Sequence, residues 1–297
     1  MSKVHPPHDL HVPVLLDATL DLLNPQNGES YLDLTAGYGG HARAFLDRTG
    51  NETSTTLVDR DDYAISQLAE FAEAGVRLLH TDFVSAAKLL IEEGKRFDIV
   101  LIDLGVSSPQ LDQGERGFSF KNSGPLDMRM DRRQELTAKD LVNKASQDEL
   151  VRIIRRYGEE SPSRARHIAE AIVKARPLDT TEDLAALIKQ NIRGRHGKIH
   201  PATRTFQALR IAVNRELEQI EAVLPLLPQL LNKEGRVGVI SFHSLEDRLV
   251  KQYFAEQRDA GFEAELRILT KKPVDGATDD VHNPRARSSK LRAAVKI

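Results

Sequence analysis

The sequence predicts an α/β fold: one open, mostly parallel sheet with a helical insertion. Three observations predict it. Strand-like and helix-like segments alternate from Tyr31 to about residue 105. From about Asp112 that rhythm stops, and helical stripes alone run to about Leu231. A strand then returns at Arg236–Phe242, followed by one helix and two more strands. Alternating elements of this kind pack as helices over a parallel sheet.

Val14–Leu23 reads as a short helix that stops at Asn24-Pro25. Tyr31–His41 (YLDLTAGYGGH) then organises the chain. Its first half is a short buried strand, its second half a glycine turn, and a helix starts at Ala42–Leu46. Strand, turn and helix bring backbone N–H groups to a helix N-terminus, a seat for a nucleotide-like ligand. Gly37 and Gly39 lack a Cβ, so backbone and ligand can approach closely. Gly37-x-Gly39-x-x-Ala42 also fits the dinucleotide pattern, so a nicotinamide site and an S-adenosylmethionine site both stay open at this point.

Thr55–Val58 is a β-branched strand ending at Asp59, 26 residues past Asp33. A carboxylate there is placed for ribose hydroxyls. Asp61 can cap the following helix, leaving Asp59 free. Ala64–Ala74 is expected as one helix, and Val76–His80 as a third strand. At its end Asp82 and Phe83 could meet an adenine edge and face. Phe97–Leu104 is a nearly continuous apolar run, which suits a central strand buried on both faces. Asp103 closes it at the edge where open sheets bind ligands. Gly105–Gln110 reads as a loop, and residues 112–133 as a long loop carrying Phe118 and Phe120 exposed.

The insertion begins its helices with a capping box, Ser146 to Glu149. Leu150, Ile153, Ile154 and Tyr157 form one stripe. Ala165, Ile168, Ala169, Ile172 and Val173 form a second, and Leu184, Leu187 and Ile188 a third. Residues 193–198 read as a basic linker. One long helix is expected to run from His200-Pro201-Ala202 through Phe206, Leu209, Val213, Leu217 and Ile220, and Leu226–Leu231 continues as helix to Gly235. After the strand, His243 sits at its tip, Leu245–Glu256 is helical, and Glu265–Thr270 and Leu291–Ile297 are strands. Right-handed crossovers place all parallel strand tips on one edge. Gly39, Asp59, Phe83, Asp103 and His243 should therefore converge.

Composition bounds the function. The 297 residues hold no cysteine. That excludes a disulfide framework, a thiolate metal site and a cysteine nucleophile. Methylation at C5 of a pyrimidine ordinarily needs such a nucleophile, so an amino or hydroxyl acceptor is favoured. No run of 18 apolar residues suggests a membrane span, and Met1–His8 lacks the apolar core of a signal peptide. A soluble cytoplasmic protein with no membrane partner is expected. Residues 112–210 carry 20 Lys and Arg against 14 Asp and Glu, a net +6, inside a chain of net charge −2. That asymmetry points to a polyanionic partner for the insertion. His5, His8 and His11 stand among prolines that oppose a helix able to align them, so no metal site is expected.

Longer strings carry a family resemblance. Asp33-x-x-x-Gly37-x-Gly39 resembles the first motif of class I S-adenosylmethionine-dependent methyltransferases, and Asp59, Asp82-Phe83 and Asp103 match the successive strand-end motifs. Gly39–His41 (GGH), Asp103–Gln110 (DLGVSSPQ), Glu115–Phe120 (ERGFSF) and Gly124–Asp131 (GPLDMRMD) resemble the RsmH (MraW) family. So do His200–Gln207 (HPATRTFQ), Ser241–Arg248 (SFHSLEDR) and Asn283–Ser289 (NPRARSS). The match covers nearly the whole chain. It implies a Rossmann-like methyltransferase core, residues 1–111 and 209–297, with a helical domain, 112–208, inserted after the fourth strand to bind RNA. It implies methylation of the N4 amino group of a decoding-centre cytosine in 16S ribosomal RNA, with S-adenosylmethionine as cofactor and 16S rRNA or the small ribosomal subunit as partner. The backbone of Gly39, Gly40 and His41 would contact the cofactor. Asp59 would hold the ribose, Phe83 would lie at the adenine, and Asp103 and Gln110 would line the methionine end.

Asp103 is the candidate acceptor for the N4 hydrogens, with cofactor binding alone as the other reading. Amino methyltransferases of DNA often carry Ser/Asp/Asn-Pro-Pro and an aromatic; Ser108-Pro109-Gln110 lacks the second proline and the ring. Phe118, Phe120 and Phe242 are the candidates to stack on the base. Arg193, Arg195, Lys198, Arg285 and Arg287 are candidate phosphate contacts. Other readings are methylation of a different nucleic-acid amino group or of a lipid or small molecule, an NAD-dependent dehydrogenase, and a non-catalytic RNA-binding protein. Monomer and homodimer both stay open.

Overall fold

The computed structural model describes residues 13–192 and 200–297. Contacts cluster into two units, one reaching to Gly105 and resuming at Glu218, the other Val106–Leu217.

The first unit is built on one sheet. Its strands are β1 (Tyr31–Asp33), β2 (Thr55–Asp59), β3 (Arg77–His80), β4 (Phe97–Asp103), β5 (Leu231–Ser241), β6 (Leu266–Ile268), β7 (Val274–Asp275) and β8 (Lys290–Lys296). The order is β3-β2-β1-β4-β5-β8-β6, with β7 paired to β8. β1 to β5 are mutually parallel and β8 runs antiparallel beside β5, a Rossmann-like arrangement. β1 and β4 lie inside the sheet and are buried almost throughout, as their apolar runs predict. Tyr31 stacks on Phe45 of helix Gly40–Thr49 at 4.5 Å between ring centroids. Helix Leu16–Leu23 contacts β5 and β8. A Cβ on Gly238 of β5 would come within 3.0 Å of Leu23, so the glycine admits this helix.

Several elements differ from expectation. The helix expected over 64–74 is two, Asp62–Gln67 and Ala69–Glu73, separated at Leu68. The segment expected as helix through 235 turns into strand at Leu231. A kink at Glu234 (φ 64°) and Gly235 shifts the β4–β5 register between Phe97 and Ile99. β7 has only two residues and left no periodic signal.

The second unit holds helices Ala138–Lys144, Gln147–Tyr157, Pro162–Ala175, Thr181–Asn191 and Thr203–Asn214. Thr137, Ser146, Ser161 and Thr180 cap the first four by accepting backbone N–H groups. At Ser146 the serine half of the expected capping box forms. The predicted stripes face inward, with Leu150, Ile154, Ile168, Ile172, Leu184 and Ile188 at 0–1% exposure. The long helix expected from His200 to Ile220 starts at Thr203 and breaks at Arg215, which adopts φ 50°. The apolar stripe runs straight through this break, so periodicity could not mark it.

The 112–133 loop is tied down rather than solvated. Asn214 accepts from Met130 N–H and donates to the Met128 carbonyl. Arg116, 3% exposed, reaches the carbonyls of Arg129 and Met130. Phe118 is buried, against expectation, with the Arg116 guanidinium over its ring. The expected loop at Gly105–Gln110 instead ends in a short helix, Ser108–Asp112. Ser107 and Gln110 form its reciprocal capping box.

Candidate active site

The glycine turn after β1 is held by its own hydrogen bonds. Ala36 N–H donates to the Val58 carbonyl at 2.8 Å, Gly39 N–H to Ala36 at 2.9 Å. Gly37 N–H donates to Asp59 Oδ2 at 2.8 Å. Gly37 and Gly39 have φ of 53° and 76°, the left-handed region that favours glycine. A Cβ on Gly39 would sit 2.4 Å from Phe71, whereas one on Gly37 would meet nothing nearer than 4.0 Å. Gly37 thus faces open space, while Gly39 is glycine for packing. No side chain caps the helix that begins at Gly40.

Asp59 closes β2. Its second oxygen accepts from Asp61 N–H at 2.8 Å, while Asp61 caps the next helix through Tyr63 N–H, as expected. Asp59 is therefore engaged rather than free; it stitches the glycine turn to the tip of β2. Burial raises its carboxyl above the usual range, and Asp61 adds to that. Asp82 closes β3 as the N-cap of helix Phe83–Glu92, accepting from Val84, Ser85 and the Ser85 hydroxyl. Capping accounts for that carboxylate. Phe83 starts the helix and is buried.

Asp33 is 1% exposed and accepts from Tyr31 OH at 2.8 Å and Thr35 N–H at 3.0 Å. Burial pushes its carboxyl up to about 6, with the charge of Asp59 acting in the same direction. Asp103 closes β4. Its N–H donates to Thr35 Oγ1 at 2.6 Å, and its Oδ2 lies 3.7 Å from His41 Nε2. Its Oδ1 is buried and accepts no hydrogen bond among the described residues. Burial, Asp33 and Glu246 hold this carboxyl well above the ordinary range.

Glu246 was missed in the sequence. It is 1% exposed and accepts from Phe242 N–H at 2.7 Å and His243 N–H at 3.2 Å. His243 Nδ1 in turn accepts from Glu246 N–H at 3.4 Å, so His243 is a helix cap at the tip of β5. The spacing His243-x-x-Glu246 was the available signal.

The edge thus brings together Gly37, His41, Asp33, Asp59 and Asp103, with Glu246 beside Asp103. Gln110 lies in the other unit, 6% exposed, its Oε1 accepting from Ser107 N–H at 3.0 Å. Phe120 is half-buried against His200 and Phe206, at 4.6 and 4.8 Å between centroids. Phe242 is half-buried, next to Gly105. Arg285 and Arg287 are exposed on the turn Pro284–Ser288. Arg193, Arg195, Lys198 and the histidines at 5, 8 and 11 lie outside the described residues. No helix among the described residues is long and apolar enough to cross a membrane.

This chemistry separates the two nucleotide readings. A dinucleotide presents a pyrophosphate, which needs open amides and cationic surroundings. Here the turn amides at 36, 37 and 39 are already bonded, and three raised carboxyls crowd the edge. A ligand bearing a sulfonium and an ammonium relieves that repulsion, and the unbonded Asp103 Oδ1 offers it an acceptor.

The chain is 47% identical to "Ribosomal RNA small subunit methyltransferase H" of Synechocystis sp., over 97% of this chain and 93% of that protein. It is 49% identical to the protein of the same name from Cyanothece sp., over 98% and 96%. A solved rRNA methylase from Streptococcus thermophilus aligns over 97% of this chain and 99% of that one, at 9% identity and a TM-score of 0.42. Residues 8–297 match the model of the MraW methylase family, and with relatives this similar along nearly its whole length the chain belongs to that family.

Proposed function

We propose that this protein transfers a methyl group from S-adenosylmethionine to the N4 amino group of a cytosine in 16S ribosomal RNA. The observation that carries the reading is the meeting of three carboxylates, the buried Asp33 and the half-buried Asp59 and Asp103, at one sheet edge, with Asp103 Oδ1 unbonded. When bound, S-adenosylmethionine supplies an electrophilic methyl on a sulfonium. The backbone of Gly39, Gly40 and His41, the Asp59 carboxylate and the Phe83 ring would hold it, Asp59 at the ribose hydroxyls and Phe83 at the adenine.

Cytosine N4 is a weak nucleophile because its lone pair is delocalised into the ring. Asp103 Oδ1 accepts a hydrogen bond from N4, raises electron density on nitrogen and takes the proton that N4 sheds. Burial, Asp33 and Glu246 raise this carboxyl above its ordinary range, which makes it the stronger base toward that proton. Thr35 Oγ1 accepts from Asp103 N–H and His41 Nε2 lies beside Asp103 Oδ2, so both position the carboxylate. Phe242, half-buried next to Gly105, is a ring placed to stack on an extruded base, whereas Phe118 is buried.

Incubation with labelled S-adenosylmethionine and small ribosomal subunits, followed by nucleoside digestion, is expected to place the label in N4-methylcytidine. Label on another exocyclic amino group would move the substrate to a different nucleic-acid base. Label on a pyrimidine C5 or a ribose oxygen would overturn the reading.

A further inference from the structure

We infer that the solvent face of helix Gln147–Tyr157 is a binding surface for the phosphate backbone of RNA, carried by Arg152, Arg155 and Arg156. The inference rests on the proposed RNA substrate and says which part of the chain grips it.

The three arginines are spaced i, i+3 and i+4, so they project from one face, while Leu150, Ile153, Ile154 and Tyr157 are buried. All three are exposed, and among the described residues no carboxylate pairs with any of them. Many other cations of this unit are neutralised. Arg129 pairs with Asp127, Arg133 with Asp131, Lys139 with Asp179, Lys144 with Asp140 and Arg210 with Glu216. Even Arg164 and Arg204 share Glu160. Three adjacent uncompensated guanidiniums repel one another, a cost that helix formation alone does not require.

Cations in the last turn do favour the helix dipole, which accounts for Arg155 and Arg156. It does not account for Arg152, in the middle of the helix. The acids Asp148 and Glu149 are confined to the first turn. A shallow, open depression of about 570 Å³ lies along this helix, lined by the three arginines with Ile153, Tyr157 and a single acid, Glu149. The Arg156 guanidinium lies over the Tyr157 ring, 5.4 Å from its centre. Forked donors in a row with an apolar floor match phosphates strung along a backbone.

The test measures affinity of the full-length protein for a 16S ribosomal RNA transcript across a salt series. The variants are Arg152→Gln, Arg155→Gln and Arg156→Gln, singly and together, with Arg→Lys versions beside them. Each true phosphate contact contributes about 0.7–0.9 to the slope of log affinity against log salt. The triple glutamine variant is expected to lose about 2–3 units of slope and roughly 100-fold in affinity near 0.1 M salt, converging with wild type near 1 M. The lysine variants keep the charge and should keep most of the slope. An unchanged slope in the triple variant, with wild type still binding RNA, overturns this inference and leaves the proposed function standing. Wild type that neither binds nor methylates RNA overturns the proposed function itself. If the triple variant loses helical signal, the single Arg152→Gln, remote from the helix end, decides: a slope unchanged there assigns the arginines to helix stability and rejects the surface.

Discussion

Asp103→Asn is expected to cut methyl transfer by about 10²–10³-fold at saturating cofactor and RNA, the usual cost of removing one preorganised group from a reacting centre. Asparagine keeps the shape of the side chain but not its charge. It can neither take the N4 proton nor draw density onto N4 as an anion. The same change removes a half-buried carboxylate whose charge Asp33 and Glu246 oppose, so the variant should be more resistant to heat than wild type. Lower activity with higher stability separates a chemical role from damage to the fold. Full activity at saturating cofactor, with only a raised cofactor KM, would assign Asp103 to cofactor binding alone.

Asp33 gives the second large effect, on stability against pH. Its carboxyl is pushed up to about 6 in the folded chain. Below about pH 4 it is protonated in folded and unfolded chains alike, so it makes no difference to stability. Between about pH 4 and 6 the unfolded chain ionises first, and the folded chain holds the extra proton. Stability therefore falls as pH rises through this window. The loss is complete above the folded value, at about 3 kcal/mol from this one group. Asp59 and Asp103 act in the same direction. Denaturant unfolding of the cofactor-free protein at about pH 4.5 and 7.5, for wild type and Asp33→Asn, measures this difference. The variant should lose most of the pH slope assigned to Asp33. An equal slope in both proteins would remove Asp33 from the account. By linkage, a cationic cofactor favours the ionised carboxylates, so its affinity should rise over the same interval.

Much of this edge was legible in the sequence because it rests on local chemistry. A carboxylate closing each apolar strand, and glycines where φ turns positive, are properties of a few adjacent residues. The rest depends on partners far along the chain. Helix Thr203–Asn214 stops where it does as Asn214 turns to the Met128–Met130 loop, more than 80 residues earlier. No periodicity in Leu209, Val213 and Leu217 can report that. Phe118 is buried because the loop folds over it with Arg116, so loop composition misplaced it. Leu231 changes from expected helix to strand because β4 offers it a partner in Phe97. Ser107-x-x-Gln110 and His243-x-x-Glu246 are different cases. Both capping spacings were visible, yet glycine and proline around the first and a strand tip before the second drew the reading elsewhere.

The most direct test of the strand-edge site is calorimetric titration of the cofactor-free protein with S-adenosylmethionine and, separately, with NAD, repeated on Asp59→Ala. The account predicts binding of S-adenosylmethionine alone, weakened at least about tenfold by the substitution, as expected for losing hydrogen bonds to a charged acceptor. Binding of NAD, or S-adenosylmethionine affinity unchanged in Asp59→Ala, would contradict it.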